Sequence, residues 1–239
     1  MQMIFDILRG NFTKWDLITL LVSIPIVLIS LSFHEFAHGW MADRLGDKTA
    51  RWNGRLTMNP LRHLDPIGAF SMLFFGIGWA KPVPVNPRNF KNPKKGMALT
   101  GLAGPVSNLL LSFIGILCYR ILNAVTALNI LLKGGSIYYY SNASFSFFDI
   151  LAIFFIMFST MNAYLAVFNL IPVPPFDGSR IFYFILPDKW YFSVMKYERV
   201  MMVIMLALLF TGVLSPVLSA VSGAFLSAFD FIIGLVPFL

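Results

Sequence analysis

Long apolar runs alternate with short polar and basic segments along this chain. The first run covers about residues 16–42, the second about 97–127, and the third 149–171. Crossing a bilayer takes roughly 20 predominantly apolar residues, and each of the three runs is long enough. Pro25 lies inside the first run, and membrane helices tolerate a proline, usually with a kink. The pattern therefore predicts three membrane-spanning helices before residue 172.

Two further segments are less regular. Residues 66–80 are apolar but too short to cross comfortably, which predicts a re-entrant or interfacial piece. Residues 81–87 follow and contain three prolines, which exclude a helix and favour extended or edge-strand geometry. The last run, 200–239, is broken at Pro216 and fits one span plus an interfacial helix, or two short spans. We predict an all-α membrane protein, a polytopic helical bundle of about four to five spans with a re-entrant, short β-like element after the first.

The composition supports a membrane protein with one domain. Hydrophobic residues make up 58% of the chain and charged residues 12%, against roughly 25% charged residues in a soluble domain. No segment is polar enough, for long enough, to form a separate soluble domain. We therefore interpret residues 1–239 as a single membrane-embedded domain, with a core at about 16–185 and C-terminal helices at 199–239.

The positive charges indicate an orientation rather than a nucleic-acid partner. The net charge is +7, and fourteen of the eighteen lysines and arginines lie in the segments 43–65, 81–96 and 179–199. Two spans, at 97–127 and 149–171, separate the first two segments from the third, so all three lie on one side of the membrane, and the positive-inside rule makes that side cytoplasmic. We therefore expect no nucleic-acid binding, and we expect the end of the first span to face the cytoplasm.

A metal-binding motif stands at that end. Residues 34–38 read His-Glu-Phe-Ala-His. On a helix, His34 and His38 lie on one face, one turn apart, so both imidazoles can reach one ion. Glu35 lies about 100° round the helix, beside a water bound to that ion. Ionisable groups so close to a bilayer are expensive to bury, which favours a functional role: two zinc ligands and a general base.

A catalytic zinc takes three protein ligands and keeps one position open. The third ligand is either His63 or a carboxylate. Asp149 lies at the opposite end of its span, whereas Asp177 follows the third span on the same side as the motif and precedes Gly178, which allows a close turn. Geometry favours Asp177, and the other candidates remain open. They are Asp65, Asp149 and His63.

Two other groups of residues have a structural interpretation, and the first also has a functional one. His63 and Asp65 either support the metal ligands from behind or cap a loop. Small and polar residues near the start of the second span have helical spacing, and we interpret them as packing positions that allow close helix contact. They are Gly101, Gly104, Ser107 and Asn108.

Two separated motifs resemble the site-2 proteases, the intramembrane zinc metalloproteases. One is the motif at 34–38, and the other is 169–178, which reads Asn-Leu-Ile-Pro-Val-Pro-Pro-Phe-Asp-Gly. Three further stretches look like the short, single-domain branch of that family: 59–66, 78–85, and Ala103-Gly104-Pro105 leading to Asn108.

The resemblance implies a complete active site. It implies one zinc ion bound by His34, His38 and Asp177, with Glu35 activating the water on that ion. It implies that Asn169 holds the substrate backbone or the developing oxyanion. It also implies a transmembrane protein substrate and a lipid bilayer as partners, as in regulated intramembrane proteolysis.

We therefore expect an intramembrane zinc metalloendopeptidase that hydrolyses peptide bonds in or near transmembrane segments. It would be a multi-pass protein of a prokaryotic cell membrane, with its active site toward the cytoplasmic side. The alternative is a non-proteolytic metal-binding membrane protein, such as a transporter or sensor. A transporter would distribute ionisable residues along a path through the bilayer, whereas here they gather at one depth around Glu35. This grouping favours hydrolysis.

Overall fold

The computed structural model describes residues 13–75, 80–132, 147–187 and 197–236. Within these ranges the regular structure is helical, as the sequence predicts. We number the α-helices in chain order: α1 Lys14–Arg44, α2 Thr49–Trp52, α3 Pro60–His63, α4 Pro66–Phe75, α5 Pro93–Leu132, α6 Phe147–Asn169, α7 Gly178–Ile185, α8 Glu198–Thr211 and α9 Ser215–Gly234. A 3-10 turn at Pro87–Asn89 precedes α5.

Among the described residues, four helices are long and apolar enough to cross a membrane: α1, α5, α6 and α9. The first three coincide with the spans predicted from the apolar runs, which confirms that part of the fold. A capping box starts α1, in which the Thr13 side chain accepts the Asp16 N–H and the Asp16 carboxylate accepts the Thr13 N–H. The helix then continues through Pro25 to the metal-binding motif near its C-terminal end.

The C-terminal run divides into two helices of unequal length. Helix α8 has 14 residues and is about 21 Å long, which is shorter than the hydrocarbon core of about 30 Å. Helix α9 has 20 residues and can cross. The structure thus favours one span plus a shorter helix over two short spans. The basic segment at 179–199 is not all loop, because α7 occupies its first part, and residues 188–196 lie outside the described ranges.

The prediction of a re-entrant, β-like element after the first span is not supported. The apolar part forms helix α4, and residues 76–79 lie outside the described ranges. Residues 80–86 have no regular structure and pair with no strand in the part of the chain that the structure describes. Pro82 and Pro84 have no N–H, so one edge of this segment cannot donate to a neighbouring strand. On the other edge, the Lys81 N–H bonds to the His63 carbonyl and the Val83 N–H bonds to Glu35. Side chains and a loop carbonyl hold it instead.

Helix α5 is the centre of the bundle and packs against α1, α6, α7 and α9. A buried apolar cluster joins α1 to α5 and α6 and consists of Val22, Ile26, Leu111 and Phe158. Helices α5 and α6 lie close together at Gly115, where a Cβ would lie 3.0–3.1 Å from the backbone and Cβ of Ser159. This packing brings the end of α1, the first half of α5 and the end of α6 together around one buried point.

Candidate metal centre

The two histidines of the motif lie one turn apart on α1 and point toward each other. Their Nε2 atoms are 3.0 Å apart, and their rings meet edge to face with centroids 4.6 Å apart. Only 7% of His34 and 5% of His38 is exposed. The helical spacing therefore produces a pair of imidazole nitrogens in a buried site, as the sequence predicts.

Asp177 reaches this pair from the loop between α6 and α7. Its Oδ2 atom lies 3.0 Å from Nε2 of His34 and 3.0 Å from Nε2 of His38. The loop is tight: a Cβ at Gly178 would lie 2.3 Å from the Leu170 carbonyl oxygen, so only glycine fits there. The three candidate ligands, which come from residues up to 143 positions apart, thus share one site.

A backbone carbonyl fixes the protonation of one imidazole. The Nδ1 atom of His38 lies 2.6 Å from the Thr100 carbonyl oxygen on α5. A carbonyl oxygen only accepts, so Nδ1 carries a proton, and in the neutral imidazole the lone pair is on Nε2. The lone pair points into the site, toward Asp177. His34 Nδ1 has a side-chain partner instead, Asn108 Oδ1, at 2.5 Å.

The donor set fits a zinc ion. Two neutral imidazole nitrogens and one carboxylate leave a fourth position for water or substrate, as catalytic zinc sites do. A tetrahedral zinc with bonds of about 2.0–2.1 Å separates its ligand atoms by roughly 3.3 Å, and the three ligand atoms here are 3.0 Å from each other. Lone pairs and a carboxylate at such distances repel unless a cation or proton lies between them.

Gly104 on α5 forms one wall of this site. A Cβ there would lie 2.4 Å from His38 Nε2 and 2.6 Å from His34 Cε1. The sequence suggested packing between helices at this position. The structure shows that the bare glycine backbone packs against the two imidazoles themselves.

Glu35 is buried beside the histidines, with 8% of the residue exposed. Its Oε2 atom accepts the Val83 N–H at 2.8 Å. Val83 belongs to the proline-containing segment at 80–86, so this segment lies directly against the candidate base. The start of the segment is held by a hydrogen bond from the Lys81 N–H to the His63 carbonyl and by Arg55, which donates to the Lys81 carbonyl at 2.7 Å.

Asp47 holds the far end of the same segment. Its Oδ2 accepts the Asn86 N–H at 2.7 Å, and its Oδ1 accepts from Asn89 Nδ2 at 2.7 Å and from the Thr49 N–H at 3.1 Å. Burial raises the pKa of Asp47, but hydrogen bonds from Thr49, Asn86 and Asn89 lower it by more, so the net pKa is below its ordinary value. The ionised carboxylate thus fixes the segment that contacts Glu35.

We expect Asp47→Asn to loosen this attachment. In asparagine an NH₂ group replaces one carboxylate oxygen, and it then faces an N–H group that had donated to that oxygen. The N–H group is left unpaired, which costs about 1–3 kcal/mol of folding free energy where it is buried. Hydrogen–deuterium exchange across residues 81–89 should therefore become about tenfold faster. In the wild type the stabilisation is fully present above the ordinary aspartate pKa of 3.8 and is lost as the pH falls through the lower folded-state pKa.

Asp65→Asn is the matched control. The Asp65 carboxylate accepts the Ile67 and Gly68 N–H groups at the start of α4. Its loss should leave exchange across 81–89 unchanged. If residues 81–89 of Asp47→Asn exchanged at the wild-type rate at neutral pH, the role given to Asp47 would be contradicted.

The other residues singled out in the sequence have local partners. Asn169 is the last residue of α6, and its Nδ2 donates to the Leu165 carbonyl at 3.0 Å. His63 is buried, and its Nε2 donates to the Thr57 carbonyl at 2.7 Å. Among the described contacts, the side chains of His63 and Asp65 bond within their own loops and not to the three clustered residues, as a loop-capping role requires.

Sequence reasoning assigned no chemical role to several residues that the structure brings to the site. Thr100, Asn108 and Val83 contact His38, His34 and Glu35, respectively. A signal existed for Asn108, because an amide inside a long apolar run is expensive in a membrane unless it has a partner. No comparable signal marks a backbone carbonyl or amide.

Comparison with known proteins gives consistent results. The model of Peptidase family M50 matches residues 22–212. The Bacillus subtilis protein named "Putative zinc metalloprotease YwhC" is 37% identical over 208 residues, which cover 85% of this chain and 89% of that protein. The Mycobacterium tuberculosis H37Rv protein "Putative zinc metalloprotease Rip2" is 28% identical over 155 residues, or 63% of this chain and 52% of that protein.

A third relative comes from an archaeon. The Methanocaldococcus jannaschii protein "Putative zinc metalloprotease MJ0611" is 24% identical over 174 residues, which cover 72% of this chain and 74% of that protein. No solved structure matches the chain significantly.

Proposed function

The chain belongs to peptidase family M50, and from this premise we propose that it is an intramembrane zinc endopeptidase that cleaves membrane proteins in or near their transmembrane segments. The observation that carries the proposal is the buried cluster of His34, His38 and Asp177 with Glu35 next to it, at the end of a membrane-spanning helix. A hydrolytic zinc site consists of nitrogen and carboxylate ligands with a second carboxylate, here Glu35, that lies beside the ion without binding it.

The ligand set assigns the roles around the metal. His34, His38 and Asp177 would hold the ion. When bound, zinc supplies Lewis-acid polarisation of the scissile carbonyl and lowers the pKa of water toward about 7. The Nδ1 partners of the two histidines keep both Nε2 atoms directed at the ion.

Glu35 acts as the general base and then as the general acid. One of its oxygens is held by the Val83 N–H, and the other takes a proton from the attacking water. The water oxygen adds to the scissile carbonyl carbon. When the C–N bond breaks, Glu35 returns the proton to the departing amine nitrogen. Each step conserves the proton, so the carboxylate is regenerated at the end of the cycle.

Asn169 stabilises the charge that develops on the substrate carbonyl oxygen. Its amide group carries two N–H donors, and one of them bonds to the Leu165 carbonyl. The second serves the oxyanion or the substrate backbone. Its position at the end of α6, eight residues before Asp177, supports this role, because the same loop then supplies both the oxyanion donor and a metal ligand.

We further propose that the site faces the cytoplasm. The motif lies near the end of α1, and the order of the spans predicts that the basic segments that follow it lie on the same side of the membrane as that end. Cleavage would then occur near the cytoplasmic end of the substrate segment. A transmembrane helix has its carbonyl groups already hydrogen-bonded, so the substrate must unwind locally before attack.

The test compares the wild type with Glu35→Gln in proteoliposomes that contain a panel of single-span membrane proteins. We expect Glu35→Gln to keep wild-type zinc content and to lower the cleavage rate by about 10²–10⁴-fold, because it removes a proton carrier and no ligand. Glu198→Gln makes the same change in the only other glutamate of the chain and should cleave like the wild type.

Two results separate the proposed function from its alternative. Zinc in both proteins with cleavage by neither would favour a metal transporter or sensor. Cleavage by Glu35→Gln at the wild-type rate would remove Glu35 from the reaction.

A further inference from the structure

A chain of buried hydrogen bonds extends from His34 away from the metal site. Asn108 Oδ1 lies 2.5 Å from His34 Nδ1, and Asn108 Nδ2 donates to Asn162 Oδ1 at 2.8 Å. Asn162 Nδ2 donates in turn to Ser30 Oγ at 2.9 Å and to the Phe158 carbonyl oxygen at 2.8 Å. Ser30, Asn108 and Asn162 are fully buried. We call Asn108 and Asn162 the amide relay.

The Phe158 carbonyl sets the direction of every bond in this chain. A carbonyl oxygen only accepts, so Asn162 must turn its NH₂ toward it. The Asn162 oxygen then faces Asn108, which must donate its own NH₂. The Asn108 oxygen is left facing His34, and it can be satisfied only by an N–H on Nδ1. In the neutral imidazole, the lone pair is then on Nε2, on the side of Asp177.

This arrangement differs from the one at the second histidine. His38 donates directly to the Thr100 backbone carbonyl, which cannot present a donor. His34 faces a side-chain amide, which could present either its oxygen or its NH₂. A second asparagine anchored to a backbone carbonyl removes this ambiguity. A backbone carbonyl thus fixes the proton on Nδ1 of each histidine. The Thr100 carbonyl on α5 acts directly on His38, and the Phe158 carbonyl on α6 acts on His34 through the two amides.

We propose that Asn108 and Asn162 are positioning residues that hold His34 as its Nδ1–H tautomer, so that Nε2 is always available to a metal ion. This inference rests on the metal-binding role of His34 proposed above. Asn108 acts on His34 directly, and Asn162 acts through Asn108. Neither touches the substrate.

The first experiment measures zinc affinity by competition with a chelator. In Asn162→Leu, Asn108 loses its anchor and its amide can flip, which places an NH₂ against His34 Nδ1 and favours the tautomer that cannot bind. We expect affinity to fall by about 10–100-fold. Ser159→Ala is the matched control. Ser159 lies on α6, as Asn162 does, and bonds to Ser112 on α5, so this change removes a different buried hydrogen bond between the same two helices. Its affinity should stay within about twofold of the wild type.

The rescue experiment separates positioning from loss of packing. A carboxylate has no N–H₂ to present, so Asn108→Asp in the Asn162→Leu background should restore most of the affinity at neutral pH. A purely structural defect would not be repaired by this second change. Wild-type affinity in Asn162→Leu, or a loss that Asn108→Asp leaves unrepaired, would overturn the inference.

The nitrogen-15 spectrum of the histidine side chains in the metal-free protein gives a readout that needs neither zinc nor cleavage. In the wild type we expect His34 Nδ1 to carry a proton that is hydrogen-bonded to Asn108, and in Asn162→Leu we expect a fraction of His34 to lack this proton. A wild-type His34 protonated only at Nε2 would overturn the inference even if Asn162→Leu did not fold. If the metal-free wild type gave the expected spectrum but the protein did not bind zinc, the result would count against the proposed function and not against this inference.

Discussion

Gly104→Ala is expected to abolish zinc binding without unfolding the protein. The added Cβ would lie 2.4 Å from His38 Nε2 and 2.6 Å from His34 Cε1, whereas real Cβ atoms essentially never come within 3.0 Å of another heavy atom. The rings must therefore move, and both belong to the proposed ligand set. A displacement of about 1 Å at a reaction centre can cost about 10²-fold in rate, so we expect cleavage to fall by at least that factor.

The measurement is zinc content after desalting, with helical content by circular dichroism as the test of folding. Alanine is a better helix former than glycine, so α5 should remain helical. Gly223→Ala is the control: it is the same change in a membrane-spanning helix, α9, where a Cβ would meet no atom within 4 Å. Wild-type zinc content in Gly104→Ala would show that the rings can move aside and still bind, which would contradict this account of the glycine.

Asp177→Asn should also lose zinc. Asp177 is 8% exposed, and its carboxylate provides the only negative charge among the three clustered residues. An amide keeps the shape but loses the charge that balances a divalent ion. Loss of an outer partner of a metal ligand typically costs 10–100-fold in affinity, so loss of the ligand charge itself should cost at least about 100-fold.

This prediction also decides between the carboxylates and the histidine that the sequence left as alternatives for the third ligand. Asp65→Asn and His63→Gln remove the loop-capping groups and should retain wild-type zinc affinity, because both bond within their own loops. If either variant lost zinc while Asp177→Asn kept wild-type zinc affinity, the third ligand would lie in that loop and not at Asp177. Affinities of all three variants can be compared by the same chelator competition.

The sequence predicted those parts of the fold and site that depend on local periodicity. Three apolar runs became α1, α5 and α6, because hydrocarbon length and helical backbone bonding leave few alternatives. His34 and His38 met for a similarly local reason, their spacing of one turn. The proximity of Asp177 followed from the number of spans between it and the motif, which fixes the side of the membrane.

Other parts could not be predicted because they depend on how helices are rotated against each other. The bonds from Asn108 to His34 and to Asn162 require one particular face of α5 to point at both neighbours. The sequence shows that these residues are polar, but it does not show what they face. The expected β-like element failed for a different reason. Its prolines correctly excluded a helix, but a strand needs a partner, and Glu35, Arg55 and Asp47 bond to this segment instead.

The close contact at Gly115 limits where the protein can open. Helices that touch backbone to backbone have no intervening side chains to rearrange, so α5 and α6 are expected to move as one body. That body carries Gly104, Asn108, Asn162 and, through a tight loop, Asp177. If the protein cleaves peptides as proposed, we expect a passage for the peptide to form by motion of elements outside this pair, such as the proline-containing segment at 80–86. Opening and closing can then proceed without disturbing the α5–α6 half of the metal centre.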